Sequence, residues 1–226
     1  MNFVDNSTSH YIAVGTTIVF EYDNDRQPIG RLILFSCRKV NVKNDFILFS
    51  DEIYSITVLR YNPSGHTFEE ITTDVSPQPI TGCQFIDDDT FVCTETHGNL
   101  LCYHKDHEST KELDRKLLTR LEQYHLAEQI NIFRHGHFVT QQTSQSTIFL
   151  ATCSLMAVTS GYIGLVVQLP PSLYRLLASL EKSLAQHIPN VGQIEHSTWR
   201  SIRADKQSTI SSGFIDGDLI QLYLTY

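Results

Sequence analysis

Basic residues are scarce in this 226-residue chain: 17 Lys and Arg stand against 25 Asp and Glu, a formal net charge of −8. The sequence-independent attraction to phosphates that nucleic-acid binders draw from clustered cations is therefore missing. No basic run exceeds two residues, and Arg38-Lys39 and Arg115-Lys116 read as solvated surface. The five cysteines, Cys37, Cys83, Cys93, Cys102 and Cys153, form no CxxC pair and are odd in number. That argues against a zinc site and a full disulfide framework. Three of them lie in apolar, strand-like stretches, where a free thiol behaves as a small buried hydrophobe, as suits a reducing compartment. No stretch approaches the ~18 uninterrupted apolar residues of a membrane span. The start, MNFVDNSTSH, lacks the apolar core of a signal peptide, so Asn6-Ser7-Thr8 reads as a chance sequon. Catalytic fingerprints are missing too: there is no G-x-S-x-G elbow, phosphate-binding loop, dinucleotide fingerprint or HExxH pair. The chain reads as a non-enzyme without a cofactor or metal.

Hydrophobic residues at 41% and charged residues at 19% are enough for a folded core. From Tyr11 to Leu169 the pattern is one of short β segments between turns. Tyr11 to Phe20 and Arg31 to Ser36 read as a hairpin. Phe46 to Phe49, Ile53 to Tyr61, Thr67 to Thr73, Thr81 to Ile86, Thr90 to Glu95 and Leu100 to His104 follow. Asn131 to Phe133, Phe138 to Thr140, Ile148 to Cys153 and Tyr162 to Leu169 complete the series. Blades of ~40–45 residues would make about four blades, although periodicity alone leaves sandwich and propeller nearly equal. Leu113, Leu117, Leu121 and Tyr124 recur at helical spacing, which predicts an inserted helix near 111–126. After Pro170-Pro171, Ser172 is a candidate N-cap, and Leu173, Leu176, Leu177, Leu180, Leu184 and Ile188 predict a helix that Pro189 stops. Ser197 to Arg203 and Asp216 to Tyr223 read as two further helices. The expected architecture is mainly β with an α tail: partial propeller blades over 1–169 and a truncated helical domain over 170–226.

Polar clusters have plain structural readings. Asp87-Asp88-Asp89 sits between two apolar strands, where aspartates favour turns. Asp216-Gly217-Asp218 lacks the longer oxygen-rich loop that calcium needs, and helix capping accounts for it better. His104 with His107, and His135 with His137, lack the further ligands of a zinc site. Glu195-His196 beside Trp199-Arg200 is the densest polar-aromatic knot and reads as a packing junction.

VGQIEHSTWRSI followed by GFIDGDLI resembles the carboxy-terminal signature of the DNA damage-binding protein 1 family. The related splicing-factor and cleavage/polyadenylation-factor large propeller subunits share the IDGDL-like motif loosely, but not the IEHSxWRS stretch. HLAEQINIFRHG, SGYIGLV, FEEITTDVSPQPITGCQFIDDDTF, NDFILFSDEIYSITVLRYNP and YIAVGTTIVF with QPIGRLILF resemble family segments in the same order. The resemblance implies part of the family's third β-propeller and the helical domain after it. Glu195, His196, Trp199, Arg200, Asp216, Gly217 and Asp218 are then signature residues of structural kind.

Departures qualify what this implies. Further strands, about a blade and a half by the family's pattern, are missing between Ser36 and about Val42. By the resemblance the chain is expected to lack the two preceding propellers, to carry a small insertion in a β turn region around Cys153 to Ala157, and to have a helical domain that stops early. Missing blades should leave sheet edges unpaired, so the chain is expected to be a truncated scaffold or one that needs a partner to complete its ring. By resemblance the role is that of a protein-interaction scaffold in a cullin-4 RING ubiquitin ligase adaptor, serving ubiquitination and DNA damage repair in the nucleus and also the cytoplasm. Substrate receptors would be the partners. Cullin-4 docks on a propeller this chain lacks, DNA would be reached indirectly, and no membrane is involved. The partner-facing positions are Glu52, Tyr54 and Pro79. The family usually has arginine at the position of Tyr54 and tryptophan at that of Pro79, so receptor binding is expected to be weakened. The alternative is a nucleic-acid-associated subunit like the splicing and polyadenylation relatives.

Overall fold

The computed structural model describes residues 2–6, 10–14, 18–22, 28–33, 37–51, 55–136, 153–188, 191–201 and 213–224. Within them four antiparallel sheets follow one another along the chain. Sheet 1 holds β1 (Asn2–Asn6), β2 (His10–Val14), β3 (Ile18–Tyr22) and β4 (Pro28–Ile33). Sheet 2 holds β5 (Cys37–Lys43), β6 (Phe46–Asp51), β7 (Ser55–Asn62) and β8 (Thr67–Thr73). Sheet 3 is β9 (Ile80–Phe85), β10 (Thr90–Glu95), β11 (Asn99–Lys105) and β12 (Leu118–His125), and sheet 4 is β13 (Ile130–His135), β14 (Cys153–Val158) and β15 (Ile163–Val167).

Why the sheets stack is written in the period-2 alternation of their strands. On β10, Phe91 and Cys93 enter one core with Leu48, Ile56, Val58 and Phe85, between sheets 2 and 3. The intervening Val92 enters another core with Tyr124, Ile130, Phe133, Met156 and Val158, between sheets 3 and 4. β6 divides in the same way: Leu48 faces sheet 3, while Ile47 and Phe49 pack with Cys37, Leu59 and Tyr61 on the opposite face. A sheet apolar on both faces needs a neighbour on each side, which is how propeller blades are buried. The first strands β5, β9 and β13 lie side by side along the inner edge, and all six residues of β9 are buried. At this edge the Thr81 hydroxyl donates to the Ile130 carbonyl at 2.8 Å. Sheet 1 meets sheet 2 chiefly along β4 and β8, and among the described residues sheet 4 makes no extensive contact with sheet 1. The ring is open: the fold is an incomplete β-propeller with a helical tail.

Turn chemistry fits the strand ends. The β5–β6 hairpin turns through two residues, with Asn44 in the left-handed region at φ 54, a conformation asparagine tolerates. Asp87 Oδ1 accepts from the backbone N–H groups of Asp89 (2.9 Å) and Thr90 (2.6 Å), so the acidic run is the turn its sequence suggested. Gly98, at φ 79, turns β10 into β11. Its carbonyl accepts from Leu126 and Ala127 as the chain leaves β12. A Cβ there would lie 3.0 Å from the Glu128 nitrogen.

Four expectations are corrected. Tyr11 to Phe20, expected as one arm of a hairpin, is divided between β2 and β3, which pair with each other from Tyr11↔Tyr22 to Val14↔Val19. The helix expected near 111–126 is confined to α1 (Glu112–Lys116), and β12 takes up the rest. β12 pairs with β11 from Leu118↔Lys105 to His125↔Asn99. That ladder, with Leu118 and Tyr124 buried, outweighs a leucine spacing that leaves Leu113, Leu117 and Leu121 exposed. The segment Cys153 to Ala157, expected as an insertion in a turn region, is the central strand of sheet 4, with Cys153, Ser154 and Met156 buried. The helix expected to be capped by Ser172 begins two residues earlier: α2 spans Pro171–His187 with Pro170 as N-cap. Proline suits a first turn because its fixed φ is helical and its missing N–H would be unpaired anyway.

β15 ends at Val167, and α2 begins the helical tail. A short 3-10 turn (Val191–Gln193), α3 (His196–Arg200) and α4 (Gly217–Leu224) follow. α4 packs on α2, and α3 packs on β12.

Candidate functional site

The tail is fastened to sheet 3 by a buried carboxylate. Asp216 precedes α4, and its Oδ1 accepts from the Leu219 N–H at 3.1 Å, capping the helix. Its Oδ2 accepts from His196 Nε2 at 2.9 Å and from Arg200 Nε at 2.8 Å, and Arg200 Nη2 donates to it as well. The Asp216 side chain is only 4% exposed. Burial pushes its carboxyl up, but the His196 hydrogen bond, the Arg200 charge and the cap together hold it well below the usual carboxylate range.

Arg200 reaches further. Its Nη1 donates to the His125 carbonyl at 3.0 Å, and its guanidinium carbon lies 4.7 Å from the centre of the Tyr124 ring. The His125 ring meets Trp199 edge to face at 5.0 Å, and Tyr124 also packs against Phe214. His125 Nδ1–H donates to Asn99 Oδ1 at 2.8 Å, and Asn99 Nδ2 donates in turn to Glu95 Oε1. Burial, then the Arg200 charge, lowers the His125 pKa. From the other side Glu181 of α2 accepts the Asp216 backbone N–H at 2.8 Å. A polar chain thus runs from the β10–β11 turn through β12 to all three tail helices.

Of the seven signature residues, His196, Arg200 and Asp216 converge directly, and Trp199 covers His125. Glu195 is exposed and contributes its carbonyl, which accepts the Trp199 N–H at 2.9 Å. Gly217 opens α4, and nothing lies within 4 Å of a Cβ added to it, so crowding does not require glycine there. Asp218 is exposed in the first turn of α4. Pro79 is half-buried before β9, and its carbonyl accepts the Thr96 N–H at 3.2 Å. Glu52 and Tyr54 lie outside the described residues. Tyr124, His125, Asn99 and Glu181 were missed by the sequence reading. The leucine spacing places Tyr124 on a helix face, and the motifs carry no sign of strand residues as their receiving surface.

Among the described residues no group of three or more His, Cys, Asp or Glu converges as metal ligands, and no helix is long and apolar enough to cross a membrane. His107 Nδ1 lies 3.0 Å from Asp89, in the acidic turn rather than beside His104. His137 lies outside the described residues.

Sheets 2 and 3, buried on both faces, with their neighbours arranged along an inner edge and joined to a helical tail by a buried charge cluster, define a propeller-type protein with a structural junction. The family model described as the CPSF A subunit region matches residues 36–225. DNA damage-binding protein 1 of Drosophila melanogaster is 39% identical over 185 residues, covering 82% of this chain and 16% of that protein. DNA damage-binding proteins 1a and 1b of Arabidopsis thaliana are 32% and 31% identical over 185 residues, 82% of this chain and 17% of each. The chain belongs to the DNA damage-binding protein 1 family. It spans about a sixth of the length of these curated relatives.

Proposed function

We propose that the chain is a non-catalytic protein-interaction scaffold, a partial version of the substrate-receptor-binding part of a cullin-4 RING ubiquitin ligase adaptor. Its processes are protein ubiquitination and DNA damage repair, in the nucleus and also in the cytoplasm. The observation that carries this reading is how the buried charges are used. Asp216, Arg200 and His196 satisfy one another and a helix end, so none of the three is left as the free base that would activate a nucleophile. Family membership supports the scaffold role, and the partly buried Pro79 segment provides a wall for a receptor helix.

The test is binding of the purified chain to a labelled helical segment of a ligase substrate receptor, with cullin-4 and duplex DNA as comparisons. Expected are weak but saturable binding to the receptor segment and none to cullin-4. Salt-dependent retention on DNA or RNA without receptor binding overturns the reading in favour of the nucleic-acid-associated alternative.

A further inference from the structure

A cleft of about 330 Å³ opens where sheets 3 and 4 meet the tail, near the lower end of small-molecule site sizes. Its lining is one-sided in charge. Among the described residues three carboxylates, Glu122, Asp216 and Asp218, line it, and no Lys, Arg or His does. Tyr124, Tyr162, Tyr174 and Phe214 surround them.

The carboxylates differ in commitment. Asp216 is taken by Arg200 and His196, whereas Glu122, half-buried on β12, has no hydrogen-bond or ionic partner among the described residues. Burial alone pushes its carboxyl up. An unpaired, partly buried carboxyl is unfavourable for folding, and a cation beside it removes that penalty. The position is also held firmly. Gly213, at φ 86, brings the tail backbone so close to Glu122 that a Cβ would collide with its carboxylate, and the Gly213 N–H donates to Tyr174 Oη at 3.0 Å.

We propose that this cleft binds an alkylammonium group, with Glu122 as its counter-ion, Asp218 at the rim and the aromatic rings around its hydrocarbon stem. Aromatic faces attract cations electrostatically, and the attraction strengthens as water is excluded. The ammonium comes either from a lysine side chain of a protein or from a free aliphatic amine, which share this chemistry.

The test is calorimetric titration of the full chain with pentylammonium and with Nα-acetyl-lysine-N-methylamide, using 1-pentanol as the uncharged comparison. Expected is binding of at least one ammonium compound, at least tenfold tighter than pentanol and weakened at least tenfold by Glu122→Gln. Asp218→Asn, at an exposed position, weakens it less. Binding of the lysine compound alone assigns the source to a protein, and equal binding assigns it to free amines. The proposal is overturned if neither ammonium compound binds, if pentanol matches them, or if a folded Glu122→Gln protein binds them unchanged.

Discussion

Arg200 lies over the face of Tyr124, its guanidinium carbon 4.7 Å from the ring centre, while its nitrogens hold Asp216. One side chain thus joins α3, α4 and β12, partly through an aromatic face, which attracts cations more strongly when shielded from water. Arg200→Leu leaves the Asp216 carboxylate buried without its main counter-charge, at a cost of about 3–5 kcal/mol. Hydrogen exchange is expected to rise first in α3 and α4, with sheets 2 and 3 protected. Uniform loss of protection across both sheets would contradict this.

Acid should loosen the same joint. The Asp216 carboxyl is lowered in the folded state, so its contribution is complete above the unfolded value of about 3.9 and is lost as pH falls through the folded value. The stability gap between the wild type and Asp216→Asn is therefore wide at neutral pH and narrows below about pH 4. Urea midpoints measured across this range check it.

Glu122 has the opposite sign. Its carboxyl is raised by burial, so ionisation destabilises the fold at neutral pH, and the wild type gains stability as pH falls through the folded value. Glu122→Gln is expected to be the more stable protein at pH 7, with the difference fading toward the unfolded value of about 4.3. Paired denaturation curves at the two pH values decide it.

Gly98→Ala tests a backbone requirement. The left-handed φ and the nearby Glu128 nitrogen predict a loss of about 1–3 kcal/mol, whereas Gly217→Ala, with open space around it, should change little. Chemical denaturation of both variants provides the comparison.

Thiol chemistry reports the core. Burial pushes Cys37, Cys83 and Cys102 up to about 12 and Cys93 well above its ordinary value, and Cys153 is raised too. The thiolate is the reactive form, so an aromatic disulfide reagent at pH 8 should label the native protein slowly and all five cysteines rapidly in denaturant.

The strands of sheets 2 and 3 were legible where alternation and turn residues agreed, as at Thr90 to Glu95 beside the aspartate turn. β12 was not, because its exposed leucines mimic a helical stripe while sheet pairing and the arriving tail decide its burial. In the sequence Glu195-His196 beside Trp199-Arg200 reads as a packing junction and Asp216 as a helix cap, with no signal that links the two. Their receivers, Tyr124 and His125, were not legible, since the contact joins residues 75 positions apart, and only folding brings those together.

The alternating faces of β10 carry a consequence for descent. Since Phe91 and Val92 serve different neighbours, losing one strand would reverse the chain's direction at the next sheet and misplace every later face. Losing whole blades keeps inward and outward phases aligned. The family match starts at residue 36, one position before β5 opens sheet 2. A match that begins at a sheet boundary keeps every later face in phase.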